Sequence, residues 1–156
     1  MAGPKIEKRK ASDMACIENE GPYDKIPWDR YIERLYGWAK EQKVMPGFYP
    51  MGIYHSNPAT TLPEKLRSDI AITFKGKAKE SGGIKIKKLA AMKVASVSHR
   101  GPGSEFTSTY SKLREFVDAK GFKVSGPSIE VYSKKPEIVK GVTILYAKVM
   151  FPIEKK

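Results

Sequence analysis

The stretch KIKKLAAMKVASVSHRGP, residues 85 to 102, lies without a gap over KIEKRKASDMACIENEGP, residues 5 to 22, at a shift of 80 positions, and the Lys-Ile, Ala and Gly-Pro elements coincide. A chain of 156 residues that repeats itself at about half its own length reads as a duplicated unit. The segment that follows tests this. Trp28, Ile32, Leu35, Trp38 and Ala39 are answered 78 positions later by Phe106, Tyr110, Leu113, Phe116 and Val117, and both sets have the spacing of one apolar helix face. Two residues have been lost between Gly-Pro and the second helix. The shift of 78 then persists, so that GIYHSNP (52 to 58) falls on EVYSKKP (130 to 136), with Tyr54 over Tyr132 and Pro58 over Pro136. Finally, SDIAITF (68 to 74) answers LYAKVMF (145 to 151).

Each half therefore has the order strand, helix, strand, strand. The spacing predicts strands over 12–19, 48–55, 68–75, 91–99, 128–133 and 143–151, and helices over 24–43 and 104–120, the second closed by Gly121. The Gly-, Ser- and Lys-rich stretch GKAKESGG (76 to 83) reads as the linker between repeats spanning approximately 5–75 and 85–152. A half of about 70 residues, with one helix on three strands, would bury little apolar surface alone. The expected fold is α+β: one domain over residues 1–156 in which the tandem repeats form a pseudo-two-fold antiparallel sheet with two helices and a pocket between the halves.

Composition narrows the function. The formal charge is +12, from 29 Lys and Arg against 17 Asp and Glu. The lysines are scattered along the chain, with no recognition-helix pattern or RNA-binding signature, so they read as solvated surface, and direct nucleic-acid binding is not expected. No apolar run approaches the roughly 18 residues of a membrane span, and the N-terminus lacks a signal-like apolar stretch. A cytoplasmic protein without a membrane partner is expected. Cys16 is a single cysteine, and Cys16, His55 and His99 fall at no metal-ligand spacing. No nucleophile motif, P-loop or dinucleotide fingerprint is present, which leaves no cofactor to expect.

One position breaks the repeat. Glu130, in GPSIEVYSKKP, stands where the first half has Gly52, while Tyr132 and Tyr54 two residues on are matched. A small residue on one side and an acid on the other suit an asymmetric pocket; the residues alone leave a solvated sheet face equally open. In an aromatic cleft an ionised Glu130 is costly to desolvate unless a cation or hydroxyl meets it, which gives it two candidate jobs, counter-ion or base of raised pKa. The rings considered beside it are Tyr132, Tyr54 and Trp28, which couple a flat face to a polar tip, then Phe106, Tyr110 and Tyr146. Core packing is the competing reading for Phe106 and Tyr110 and the default for Trp38 and Phe116. His55 reads as a surface residue, and Arg67 and Asp69 as organisers of a loop or strand start.

Three stretches, GPYDKIPWDRYIERLYGWAKEQ, PMGIYHSNPATTLPEKLRSDIAI and GPSIEVYSKKP, resemble the gyrase-inhibitor-like family, the effector-binding domain of AraC-type and multidrug-responsive regulators, over residues 12 to 153. The resemblance implies a pocket for small lipophilic or cationic molecules into which Glu130 points. Two departures stand out. Only about ten residues precede the first strand, leaving no room for a helix-turn-helix, so the chain resembles the stand-alone branch; and Asn19 occupies a position where relatives often carry histidine, which the second half keeps as His99. The expected function is binding or sequestration of a lipophilic compound, cationic ones included, through Glu130 and surrounding rings. The alternatives are hydrolysis of reactive cyclopropane-type electrophiles with Glu130 as base, and a protein partner of the gyrase-inhibitor kind.

Overall fold

A computed structural model, which describes residues 3–156, divides the chain into two compact units: Lys10–Ala90, and the segment through Arg9 together with Ala91–Lys156. In the first unit β2 (Ser12–Glu20) and β4 (Met51–Tyr54) flank β5 (Arg67–Lys75), β6 (Lys85–Leu89) adds to the outer side of β2, and the two-residue β3 (Met45–Pro46) pairs with the end of β5, all antiparallel. The pairs Ala15↔Ile72 and Ile17↔Ile70 put four apolar side chains on one face of the sheet. Helix α1 (Trp28–Gln42) closes over that face through Leu35, Trp38 and Ala39. Full burial of a side chain such as Leu35 contributes about 2 kcal/mol. Trp38 meets Phe74 edge to face at 5.2 Å, and its indole N–H donates to the Lys79 carbonyl at 3.0 Å, so its burial leaves no donor unpaired.

The second unit repeats the plan. β10 (Val142–Lys155) is bordered by β7 (Met92–Gly101) and β9 (Ser128–Val139), with the short β8 (Phe122–Val124) on its far end and β1 (Lys5–Arg9) outside β7. Helix α2 (Phe106–Ala119) packs Leu113 and Val117 against Ala95, Val149, Phe151 and Ile153.

Helices and main strands fall where the periodicity predicts them, the helices with shorter ends. Pro27 precedes the first residue of α1, and Tyr23–Lys25 forms a separate 3-10 turn, so the helix starts four residues later than expected. Pro46, Gly47 and Pro50 confine the strand expected at 48–55 to 51–54. β9 and β10 run longer than expected, because Lys140 and Gly141, both at positive φ, make the tight turn of a hairpin.

Strands β1 and β6 were not anticipated, although they begin the two repeat copies at the same shift of 80. KIEKR and KIKKL each hold too few apolar residues to show a period of two. Their partners cross the repeat boundary: β1 pairs with β7 and β6 with β2. Residues 76–83 accordingly join β5 to β6 inside one unit, and the chain passes between units near Arg9 and Ala90.

On the face of the first unit's sheet away from α1 lies an ionic cluster. Asp69 is buried, paired with Glu18 across the strands, and its Oδ2 accepts from Lys87 Nζ at 3.0 Å and lies 3.0 Å from His55 Nε2. Lys87 and Lys85 also hold Glu18 at 2.9 and 3.0 Å, drawing its carboxyl down to about 2. Lys87→Met should cost about 2 kcal/mol at pH 7, because it removes one of the two side-chain partners of the buried Asp69 carboxyl and one of those of Glu18. Glu18 is an acid whose pKa is depressed on folding, so its contribution is present above pH 4.5 and fades as pH falls toward 2. Urea melts of the two proteins should therefore converge on acidification; equal stability at pH 7 would contradict this.

Candidate functional site

Glu130 on β9 pairs with Val149 on β10, and Val149 belongs to the core beneath α2. The acid therefore stands on the helix-covered face of its sheet, not on a solvated one. Tyr110, on the underside of α2, donates its hydroxyl to Glu130 Oε2 at 2.5 Å, and Tyr132, two residues along the same strand face, donates to Oε1 at 3.0 Å. Both carboxylate oxygens are thus engaged by phenols. Burial pushes the Glu130 carboxyl above the usual carboxylate range, and the two tyrosine bonds and nearby His99 pull it back only in part.

Rings extend from this point. Tyr110 lies 5.5 Å from Phe151 and 6.5 Å from Phe106. Phe106, at the first turn of α2, stacks on His99 with centroids 3.9 Å apart and planes 15° from parallel. His99 is buried. Thr109 donates to the Glu105 carbonyl, so its hydroxyl accepts from His99 Nδ1–H at 2.7 Å, and Nε2 is buried with no hydrogen-bond partner among the described residues. A surface cleft of about 330 Å³ runs beside His99, Glu105, Ser108, Thr109 and Lys112. His99 had drawn no chemical role from the sequence. The signal was its place in the repeat, since Asn19 in the other unit likewise bonds to its own covering helix, accepting from the Tyr31 hydroxyl at 3.0 Å.

Of the remaining sequence candidates, Gly52, Tyr54 and Trp28 belong to the first unit and Tyr146 to β10 of the second. In the first unit Tyr54 folds back over Gly52, so that a Cβ at Gly52 would sit 2.7 Å from the tyrosine oxygen, and the ring meets Tyr23 edge-on at 4.9 Å. Tyr54 thus covers the glycine two residues before it, where Tyr132 hydrogen-bonds the glutamate two residues before it. Trp28 opens α1 and borders a shallow depression with Ile26, Pro27, Asp29 and Arg30. Tyr146 is three residues from Val149 on β10, an odd step that puts it on the sheet face opposite Glu130, where Arg100 and Lys134 lie over its ring at 5.8 and 4.9 Å. Trp38 is core, as expected, and Phe116 packs partly buried against the α2 core. Cys16 is buried and its thiol is pushed up to about 12, first by burial and then by Asp69, which leaves it inert. The described residues hold no group of three or more His, Cys, Asp or Glu suited to a metal ion, and none of their helices is long and apolar enough to cross a membrane.

A buried carboxylate of raised pKa, bracketed by two phenols and bordered by aromatic faces, can take a cationic or proton-donating group from a flat apolar molecule. It can equally accept a proton from a water or ligand hydroxyl.

The family model of the GyrI-like small molecule binding domain matches residues 3–154. A DNA gyrase inhibitor of Edwardsiella piscicida is 28% identical over 134 residues, covering 82% of this chain and 84% of that protein. Among solved structures, the EcmrR C-terminal domain superposes with a TM-score of 0.80 at 15% identity, covering 98% of both chains. SAV2435 bound to tetraphenylphosphonium superposes at 0.59 and 12% identity, over 98% of this chain and 94% of that one. At these identities the structural likenesses establish the fold.

Proposed function

This chain belongs to the GyrI-like small molecule binding domain family, and from that premise we propose that it binds a lipophilic aromatic compound which presents a cationic or proton-donating group to Glu130. The observation that carries the reading is the carboxylate itself: a charge-capable group placed beneath a helix, held by Tyr110 and Tyr132 and kept at raised pKa by burial, has a use only if a ligand completes its coordination. Phe106 and Tyr110, both partly buried, offer the apolar contacts for a flat ligand. That SAV2435 holds tetraphenylphosphonium on a similar fold supports the choice of ligand class.

Calorimetry with a panel of aromatic drugs and dyes, tetraphenylphosphonium among them, tests the proposal. Saturable binding is expected, and for a permanent cation it should strengthen as pH rises through the raised pKa of Glu130, because only the ionised acid attracts it. Binding that ignores pH from 4 to 8 would count against the acid.

The same carboxylate supports a second reading. With its pKa raised by burial it is suited to act as a general base toward water and a strained electrophile. Incubation with cyclopropane-bearing electrophiles distinguishes the two: product in excess of protein favours hydrolysis, and protection at one equivalent favours binding alone.

A further inference from the structure

Phe106, Tyr110 and Arg114 stand four residues apart along α2, so their side chains form one stripe down the helix. The first two are rings of the site around Glu130. The third is a cation lying on those rings: the Arg114 guanidinium carbon is 5.7 Å from the centre of the Tyr110 ring and 5.3 Å from that of Phe151. At its other end the same Tyr110 ring donates its hydroxyl to Glu130. One aromatic ring therefore carries an acid at its polar tip and a cation against its face. In the other unit the repeat position of Arg114 is Tyr36, whose hydroxyl donates to the Gly47 carbonyl, so the cation belongs to α2 alone.

This arrangement bears on what can bind. A ring face already covered by a guanidinium offers little to a second cation, and the two like charges repel. Arg114 is exposed to solvent, so its planar fork can turn from the rings toward an incoming acceptor. A guanidinium pairs with a carboxylate or other anionic oxygen by two parallel hydrogen bonds, which an aromatic cation without such a group cannot supply.

Resting on the reading of Glu130 as a ligand-binding acid, we propose that Arg114 sets the ligand class of the site. The ligand is an amphoteric aromatic compound with a cationic or proton-donating group for Glu130 and an anionic or strongly accepting group for Arg114. Compounds whose only charge is positive are disfavoured.

A matched pair of probes tests this: tetraphenylphosphonium, a permanent cation, and (2-carboxyethyl)triphenylphosphonium, which exchanges one phenyl for an arm bearing a carboxylate. Each is titrated into the wild type, Arg114→Ala, Arg114→Gln and Arg114→Lys. The wild type should prefer the carboxylated probe. In Arg114→Ala and Arg114→Gln, affinity for tetraphenylphosphonium should rise about threefold, the worth of one freed cation–π contact, and affinity for the carboxylated probe should fall about fivefold or more. Glutamine keeps most of the length without the charge, so agreement between these two variants separates charge from bulk, and Arg114→Lys should retain the wild-type preference. Alanine and glutamine are good helix formers at an exposed position, and unchanged thermal melts confirm the fold. Both probes shifting together, or neither shifting, overturns the role of Arg114. Glu130→Gln separates that failure from failure of the parent reading: if both probes bind Glu130→Gln as they bind wild type, the site itself is refuted and this inference with it.

Discussion

Replacing Glu130 with glutamine is expected to weaken binding of a cationic aromatic ligand by tenfold or more while making the free protein more stable at neutral pH. The first effect follows from losing a charge-assisted contact in a desolvated site, where about 1.4 kcal/mol is a factor of ten in affinity. The second follows from linkage. Burial raises the Glu130 pKa above its unfolded value of 4.5, so what the group contributes to folding is fully present below that pH and is lost as pH rises through the folded pKa. Above that pH the buried acid is a liability in the empty protein, and glutamine, near-isosteric and uncharged, removes it while still offering an oxygen to a tyrosine hydroxyl. Urea melts should therefore show the variant more stable at pH 7, with the gap closing below pH 4. A residue retained only for structure would show the reverse: lower stability on replacement and no specific loss of ligand.

Leu113→Ala should be the most damaging substitution to the fold of the second unit. Leu113 is fully buried where α2 meets the sheet, among Ala95, Val117, Val149 and Phe151. Truncating such a leucine removes its transfer free energy and leaves a cavity, a loss of about 2–5 kcal/mol. In a chain of this size that lowers the melting temperature on the order of 10 °C. The effect should reach the ligand as well, because Leu113 seats the helix that carries Phe106, Tyr110 and Arg114. A loss below 1 kcal/mol would mean that α2 is not anchored by this core. Partial refolding around the cavity would show as loss of affinity at nearly unchanged helical content.

Much of this was legible because duplication amplifies weak signals. The helix periodicity of Leu35 and Leu113 is stronger for appearing twice at one shift, and Glu130 stood out against Gly52 because the tyrosines beyond them matched. The i, i+2 spacing of Glu130 and Tyr132 already put them on one strand face, and the structure adds the hydrogen bond. Tyr110 posed a choice between core and site, and the structure packs its ring against the core residues and sets its hydroxyl on the acid. What escaped notice depends on registers between distant segments. His99, Phe151 and Arg114 reach the site only once β7, β10 and α2 are paired and docked, and nothing local marks them. The exchange of β1 and β6 across the repeat boundary was hidden for a related reason: KIEKR and KIKKL are mostly lysine, arginine and glutamate, and it is pairing with a neighbouring strand that makes them strands.

The claim on which the account turns is that Glu130 is a desolvated acid waiting for a ligand's positive or proton-donating group. The most direct measurement is a carbon-13 NMR titration of the Glu130 side-chain carboxyl, assigned by comparison with Glu130→Gln, in the free protein and with tetraphenylphosphonium bound. The predicted result is a midpoint above the ordinary carboxylate range in the free protein that moves down when the cation binds. A midpoint near 4.5 that stays in place under saturating ligand would contradict it.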